Sequence, residues 1–258
     1  MIAPNESTKT FRVKVKRQDT ADGAPYWERF DVAYKPSMNV ISVLQAIAMN
    51  PTTVDGKETT PPVFLSACLE EVCGSCTAVV NGQVCQMCSR LVDDLLEEGG
   101  EITIEPMTKF PVVRDLMVDR QRMFDNLEKI QGWVPIDGTT SLGPGPKETQ
   151  DNQDIRYALS RCMTCGCCLE VCPQFTADNG FVGAQVISQV RYFNRHDTGA
   201  QLAGDRLDQM MEPGGIADCG NAQNCVKICP KEIPLTESIA EVGRTTTVHS
   251  IKKFFTGK

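Results

Sequence analysis

The sequence predicts an α+β chain of two domains, a mixed β and α domain over residues 1–110 and a mainly helical domain over residues 111–258. Apolar residues alternate with polar ones in the first part, whereas in the second they recur at spacings of three and four. Each part also has its own kind of cysteine run, in a chain with 13 cysteines. A length of 258 residues suits about two domains, and an apolar content of 41% is enough for a core in each.

The first domain is predicted to contain both strands and a helix. Alternation over residues 11–15 indicates a half-buried strand, and the apolar positions within residues 40–47 fall on one helix face. Asn39 is of the residue type that caps such a helix. Residues 77–80 indicate another strand, and the Asn-Gly pair after it is typical of a type I′ hairpin turn.

After a last strand at residues 102–104 the pattern becomes helical. The apolar spacing over residues 116–130 predicts a helix with one contact face, and residues 186–193 and 235–242 predict two more. The segment 133–153, which contains GPGP, is predicted to be a linker.

The first domain contains the segment CLEEVCGSC and one further cysteine downstream. The spacing C-x4-C-x2-C…C is that of plant-type ferredoxins, whose thiolates hold a [2Fe–2S] cluster. The predicted ligands are Cys68, Cys73, Cys76 and Cys88. Gly74 lies between two of them, where a side chain would obstruct the approach of backbone N–H groups to sulfur. The spacing therefore predicts a plant-type ferredoxin (β-grasp) domain; structural zinc, which also binds C-x2-C pairs, is the alternative.

The second domain contains two related cysteine loops. The segment CMTCGCCLEVCP has the C-x2-C-x2-C-x3-C-P spacing of bacterial ferredoxins with two clusters. The segment CGNAQNCVKICP keeps the same frame, but Ala222 stands at its middle ligand position. This diverged internal repeat predicts an α-helical, bacterial-ferredoxin-like domain.

In such runs the fourth cysteine binds the other cluster, so the predicted ligands divide into a set of four and a set of three. The set predicted to hold [4Fe–4S] is Cys162, Cys165, Cys168 and Cys229. The set predicted to hold [3Fe–4S], because Ala222 supplies no thiolate, is Cys172, Cys219 and Cys225. A [4Fe–4S] cluster with water or another ligand at the open iron is the alternative.

Two cysteines and both histidines lie outside these ligand frames. Cys85 and Cys167 are predicted to be small buried hydrophobic residues, although Cys85 could compete with Cys88 as a ligand. His196 and His249 are predicted to be surface residues.

Composition and the remaining motifs exclude several functions. The net charge of −7, with Lys and Arg spread along the chain, argues against a nucleic-acid partner. No stretch approaches the ~18 apolar residues of a membrane span, and the N-terminus lacks the apolar region of a secretory signal. No G-x-G-x-x-G follows a strand, so no flavin or nicotinamide site is predicted. The clustered cysteines indicate metal ligation in a reducing cytoplasm.

Four segments resemble the iron–sulfur subunit of succinate dehydrogenase and fumarate reductase: CLEEVCGSC, FPVVRDLMVD, CMTCGCCLEVCP and CGNAQNCVKICPKEIPL. The segments RQDTAD and PIDGTTSLGPGP resemble the Bacillus-type members. The resemblance implies an electron relay from the covalent FAD of a flavoprotein through [2Fe–2S], then [4Fe–4S], then [3Fe–4S], to a quinone. It also implies a haem-containing membrane anchor that holds the chain peripherally on the cytoplasmic face of the cell membrane. The dicarboxylate site would lie on the flavoprotein.

Two positions bear on the quinone. Ubiquinone-using members carry a tryptophan and a histidine where this chain has Ala177 and Gly220, so menaquinone near the three-iron cluster is expected. Pro173 is the candidate quinone-proximal residue, although the Cys-Pro turn alone also explains it. The alternatives are the same relay run in reverse as a fumarate reductase, a free ferredoxin-like carrier, and a thiol-driven fumarate reductase, which usually has further cysteine-rich domains.

Overall fold

The computed structural model describes residues 9–135 and 147–256, and the chain divides into two compact units, Met1–Asp119 and Arg120–Lys258. Within the described residues, the strands lie in the first unit and most of the helices in the second. The GPGP part of the predicted linker lies outside the described residues. The compact units divide after Asp119, whereas the sequence predicted a domain boundary after residue 110. The predicted domains 1–110 and 111–258 stay a prediction.

The first unit is built on a five-stranded mixed sheet. Its strands are β1 (Thr10–Arg17), β2 (Tyr26–Ala33), β3 (Thr77–Val80), β4 (Gln83–Gln86) and β5 (Ile102–Glu105). The order across the sheet is β2-β1-β5-β3-β4, in which β1 and β5 are parallel and the other neighbours antiparallel. Asn81 (φ 48°) and Gly82 (φ 76°) join β3 to β4 with the two positive φ angles of the expected type I′ turn.

Helix α1 (Val40–Met49) buries its apolar face in the core of this sheet. The core also contains the inward-facing strand residues Val13, Val15 and Ile104, which are all fully buried. Asn39 caps the helix, since its side-chain oxygen accepts the Ser42 N–H at 2.9 Å. Such a cap contributes about 1 kcal/mol to stability.

Arg17, at the end of β1, is fully buried between two carboxylates. Its Nε donates to Oδ1 of Asp115 at 2.9 Å, and its Nη1 pairs with Glu28. Asp115 also accepts the backbone N–H groups of Gln18 (3.1 Å) and Val63 (2.8 Å). A buried guanidinium needs this degree of pairing to offset its desolvation. The network therefore holds the segment after β5 in the first unit, beyond the predicted boundary.

The helix predicted over residues 116–130 begins later than expected. Helix α2 (Val92–Glu97) lies earlier, between β4 and β5. The elements of this region are β6 (Val112–Arg114), β7 (Met117–Val118) and α3 (Gln121–Lys129). Leu116 is buried in the core of the first unit, and its N–H donates to the Val63 carbonyl at 3.1 Å. Leu116 is therefore apolar because it packs in this core, in the turn that joins β6 to β7, and not because it lies on a helix face.

The second unit is helical around its cysteine loops. It contains α3 and, farther along the described chain, α4 (Gln150–Ser160), α5 (Cys167–Glu170), α6 (Gly183–Asn194), α7 (Ala203–Met211), α8 (Asn224–Ile228) and α9 (Leu235–Thr256). Helix α6 is buried along most of its length and packs on α4, α5, α7 and α9. Helix α4 begins inside the predicted linker, where Thr149 caps it by accepting the Asn152 N–H. Among the described helices, none has both the length and the apolar content needed to cross a membrane.

Candidate iron–sulfur sites

Backbone N–H groups of the first cysteine loop converge on one sulfur atom. The N–H groups of Glu70, Val72 and Cys73 lie 3.4, 3.3 and 3.3 Å from Sγ of Cys68. N–H groups gathered in this way stabilise a thiolate or another anion. The loop therefore suits a negatively charged cluster held by thiolates.

The convergence comes from left-handed backbone positions. Leu69 (φ 60°) and Glu71 (φ 55°) curl the chain so that successive N–H groups point inward. Gly74 (φ 68°) lies buried between Cys73 and Cys76, at a φ that glycine adopts without strain. The loop thus needs Gly74 for its φ angle, as well as for the close approach of backbone N–H groups to sulfur that the sequence predicted.

Cys88 reaches the same loop although it is remote in sequence. Its Sγ accepts the N–H of Glu71 at 3.3 Å, and its carbonyl accepts Nδ2 of Asn39 at 2.9 Å. The N–H of Met87 donates to the Cys76 carbonyl at 3.1 Å. The α1 cap and the end of β4 therefore position the predicted fourth ligand.

The thiols of this site differ in acidity. The Ser75 hydroxyl, 3.1 Å from Sγ of Cys73, and the Ser75 backbone N–H lower the pKa of Cys73 to about 6. Burial raises the pKa of Cys76 to about 12. Because iron binds the thiolate, Cys73 is ready to ligate at neutral pH, whereas metal must displace the proton of Cys76.

The second unit has two pockets, each lined by a different set of cysteines. The cysteines of the first pocket, which contains about 370 Å³ of space free of atoms, are Cys162, Cys165, Cys168 and Cys229. Those of the second, with about 320 Å³, are Cys172, Cys219 and Cys225. Among the described residues, no three His, Cys, Asp or Glu side chains converge as ligands of a single metal ion. These thiols line the walls of a volume, as a polynuclear cluster requires.

Each of the two cysteine loops contributes cysteines to both pockets. Cys168 on α5 lines the first pocket, and Cys172 just after α5 lines the second. Cys225 on α8 lines the second pocket, and Cys229 just after α8 lines the first. The short helices produce this division because one turn separates the two cysteines of each pair.

Burial governs the acidity of these thiols. It raises the pKa of Cys168 well above the usual thiol value, and it also raises the pKa values of Cys162 and Cys225. Hydrogen bonds from the thiol and the backbone of Cys167 act in the opposite direction and lower the pKa of Cys165 to about 7. The four-cysteine pocket is therefore largely shielded from water, a condition that tunes the potential of a bound cluster.

The second pocket has an open corner at Ala222. This exposed residue lines the pocket beside Gln174, whose Oε1 lies 4.0 Å from Sγ of Cys172. A Cβ built on Gly220 would lie 2.6 Å from Nε2 of Gln174. The Gln174 amide therefore fills the space beside position 220. Pro173 is exposed at the same pocket.

The remaining cysteines and histidines have other surroundings. Cys85 on β4 packs against the core of the first unit, and burial raises its pKa to about 11. Cys167 is buried, as expected for a small hydrophobic residue. It also forms a hydrogen bond with Cys165, which the sequence did not predict. His196 accepts the Gly199 N–H at 3.1 Å, and His249 contacts Asp208 at 2.9 Å; neither histidine is among the lining residues of the two cysteine pockets.

The sequence reasoning missed polar residues beside the thiols, among them Ser75, Gln174 and Gln185. Ser75 could have been found, since it stands between two predicted ligands. Gln174 follows the Cys-Pro pair directly and carries a weaker signal. Gln185 lies on α6, and only packing brings it to the first pocket.

Comparisons with known proteins agree with this arrangement. A family model described as a 2Fe-2S iron-sulfur cluster binding domain matches residues 12–125, and a 4Fe-4S dicluster domain matches residues 157–233. The succinate dehydrogenase iron-sulfur subunit of Bacillus subtilis is 51% identical over 247 residues, which cover 96% of this chain and 96% of that protein. The chain belongs to the family of succinate dehydrogenase iron–sulfur subunits. The predicted family resemblance is therefore confirmed.

Two more distant matches agree with this result, the second of them for the fold alone. The fumarate reductase iron-sulfur subunit of Wolinella succinogenes is 27% identical over 240 residues, covering 91% of this chain and 95% of that protein. A chain of the Mycobacterium smegmatis Sdh1 complex in the apo form superposes with a TM-score of 0.77 at 20% identity, over 93% of this chain and 96% of that chain. These matches confirm the α+β fold, in which a [2Fe–2S] domain precedes a helical dicluster domain.

Proposed function

We propose that this chain is the electron-transfer subunit of a succinate:quinone oxidoreductase of the citric acid cycle and respiratory chain. The observation that carries the proposal is the crossed pair of pockets in the second unit, together with the separate thiol site of the first unit. Held there, the three clusters supply one-electron chemistry that connects the FAD of a flavoprotein to a quinone. The dicarboxylate site is proposed to lie on the flavoprotein, whereas the residues of this chain hold the clusters, exclude water and tune their potentials.

We assign the proposed ligands of each cluster from the cysteines that lie at the same site. The proposed [2Fe–2S] ligands are Cys68, Cys73, Cys76 and Cys88. The proposed [4Fe–4S] ligands are Cys162, Cys165, Cys168 and Cys229. The proposed [3Fe–4S] ligands are Cys172, Cys219 and Cys225. The left-handed residues Thr164, Asn221 and Gln223 curl the loops of the second unit as Leu69 and Glu71 curl the first, which supports cluster binding at all three places.

The quinone is proposed to approach the three-cysteine pocket. Its wall is exposed at Pro173 and Ala222, so a partner or a quinone can reach this side of the unit. Gly220 offers no side-chain hydrogen bond there, and Gln174 provides the neighbouring amide instead. We therefore propose menaquinone as the acceptor and Pro173 as a quinone-proximal residue.

The proposed partners are the flavoprotein and a haem-containing membrane anchor. The chain has cluster sites but, within the described residues, no helix that could cross a membrane. A peripheral position on the cytoplasmic face of the cell membrane, held by the anchor, follows from this proposal. Purification of the native complex from membranes should recover all three chains together. Quantitative recovery of this chain alone from the soluble fraction would favour a free ferredoxin-like carrier.

A second candidate function is fumarate reduction, the same reaction in the reverse direction, because the related proteins include fumarate reductase iron-sulfur subunits. We propose succinate oxidation on the strength of the 51% identical relative. The purified complex should reduce a menaquinone analogue with succinate, and reduce a ubiquinone analogue more slowly. A complex that reduces fumarate with menaquinol much faster than it oxidises succinate would reverse the assignment.

A further inference from the structure

One polar side chain in the four-cysteine pocket lacks a protein partner. Gln185 lies on α6 with 2% of its surface exposed, and neither Nε2 nor Oε1 has a hydrogen-bond partner. Leaving a buried amide without hydrogen bonds destabilises a fold, so such a group needs an explanation. Gln185 lines the pocket together with the predicted [4Fe–4S] ligands, which supplies one.

Only one end of this amide can bond to the contents of the pocket. Thiolate and sulfide sulfur atoms accept hydrogen bonds and do not donate them. The amide Nε2 carries two donor hydrogens, whereas Oε1 would repel a negatively charged sulfur. The pocket therefore selects the orientation in which Nε2 faces the sulfur atoms.

A second glutamine on the same helix faces the same thiols. The Gln189 side chain is a hydrogen-bond partner of Cys162, one of the four cysteines of the pocket. Gln185 and Gln189 are four residues apart, which places them one above the other on one face of α6. One face of α6 thus carries an amide that lines the pocket and a second amide that bonds to one of its cysteines.

We propose that the Gln185 amide donates a hydrogen bond to sulfur in the four-cysteine pocket and raises the reduction potential of the [4Fe–4S] cluster held there. This inference rests on the proposed [4Fe–4S] ligand set. The added electron increases the negative charge on the sulfur atoms, so an N–H donor stabilises the reduced state more than the oxidised one. Gln185 is accordingly a tuning residue and not a ligand.

The test is a potentiometric EPR titration of the holo-protein with Gln185→Met, an apolar side chain of similar length. We expect the reduced-to-oxidised ratio of [4Fe–4S] at the wild-type midpoint to fall about tenfold, a shift of about 59 mV for a one-electron couple. The [2Fe–2S] potential should not change, because its ligands belong to the first unit. An intact [4Fe–4S] signal at an unchanged potential would overturn the proposal.

Ser188→Ala is the matched control. Ser188 is also fully buried on α6 with an unpartnered hydroxyl, but it is not among the residues that line the pocket. Its substitution should leave the [4Fe–4S] potential unchanged. An equal shift in Ser188→Ala would show that the effect comes from loosened packing of α6, which would also overturn the proposal.

A second measurement covers the case in which Gln185→Met fails to fold. The Gln189→Met protein, labelled with ¹⁵N only in glutamine side chains, is reduced and studied by pulsed EPR of the [4Fe–4S] signal. A ¹⁵N coupling is expected from Gln185, and its absence would overturn the inference. A wild-type chain without any [4Fe–4S] signal would contradict the proposed function itself, which is a different outcome from an unshifted signal.

Discussion

At Ala222 a methyl group stands where a thiol would complete a set of four ligands. The residue lines the second pocket opposite Cys172, Cys219 and Cys225, and it is exposed. Both features suit a three-iron cluster at the end of a relay, because one corner lacks a ligand and the wall is open to a partner. The proposed three-iron cluster thus depends on a single side chain.

Ala222→Cys should convert [3Fe–4S] toward [4Fe–4S]. The added thiolate increases the negative charge around the cluster and should lower its potential, so the last electron transfer becomes harder. Quinone reduction should fall while succinate binding to the flavoprotein is unchanged. EPR and turnover of the complex measure both effects. A variant with the wild-type spectrum and wild-type turnover would mean that Ala222 does not face the cluster.

Two cysteine substitutions distinguish the fourth [2Fe–2S] ligand. Cys88→Ser should damage only the [2Fe–2S] signal, because Cys88 is the cysteine whose Sγ accepts the loop N–H of Glu71 at 3.3 Å. Cys85→Ser is the matched control and should leave all three signals intact, as should Cys167→Ser. Loss of the cluster in Cys85→Ser with Cys88→Ser tolerated would show the opposite ligand choice to be correct.

At the scale of elements, the packing of α6 against α9 shapes the helical unit. Arg195 on α6 contacts both carboxylate oxygens of Glu241 on α9, at 2.9 Å from Nε and 2.8 Å from Nη2. Arg191, which is 5% exposed, adds a third contact from Nε at 2.9 Å. Helix α6 also carries Gln185, so the same element supports the fold and the first pocket.

Glu241→Gln should lower the stability of the chain by about 2 kcal/mol at pH 7, since hydrogen bonds between charged groups contribute that much. Burial raises the pKa of Glu241, but hydrogen bonds from Arg195 and Arg191 outweigh burial and lower it overall. The contribution is therefore complete above about pH 4.3, the unfolded value, and is lost as the pH falls through the folded pKa. Thermal unfolding of the holo-protein should show a constant difference from wild type between pH 7 and about pH 4.5, and a difference that shrinks as the pH falls below about 4.3.

Glu237→Gln is the control for this prediction. Glu237 lies 3.6 Å from Nη1 of Arg191, but its side chain is 68% exposed, so water screens the pair. Its substitution should change stability by less than about 0.5 kcal/mol at any pH. Equal losses in the two variants would mean that the hydrogen-bond network around Glu241 adds nothing specific.

At the scale of the whole molecule, the sequence predicted the fold class because regular spacings carried the information. The cysteine frames and the Asn-Gly turn are local patterns; the turn has the two positive φ angles that its sequence predicts, whereas the ligand sets stay a prediction. The predicted start of α3 was wrong. Leu116 lies in the turn between β6 and β7, and it is apolar because it is buried in the core of the first unit. Gln185 could not have been predicted, since only the packing of α6 brings it to the cysteine pocket.

The central claim is that three distinct ligand sets hold three distinct clusters. Iron analysis of the holo-protein combined with EPR of reduced and oxidised samples tests it most directly. The claim predicts about nine irons per chain, the sum for [2Fe–2S], [4Fe–4S] and [3Fe–4S], with a three-iron signal in the oxidised sample. About ten irons per chain and no three-iron signal after oxidation would contradict it.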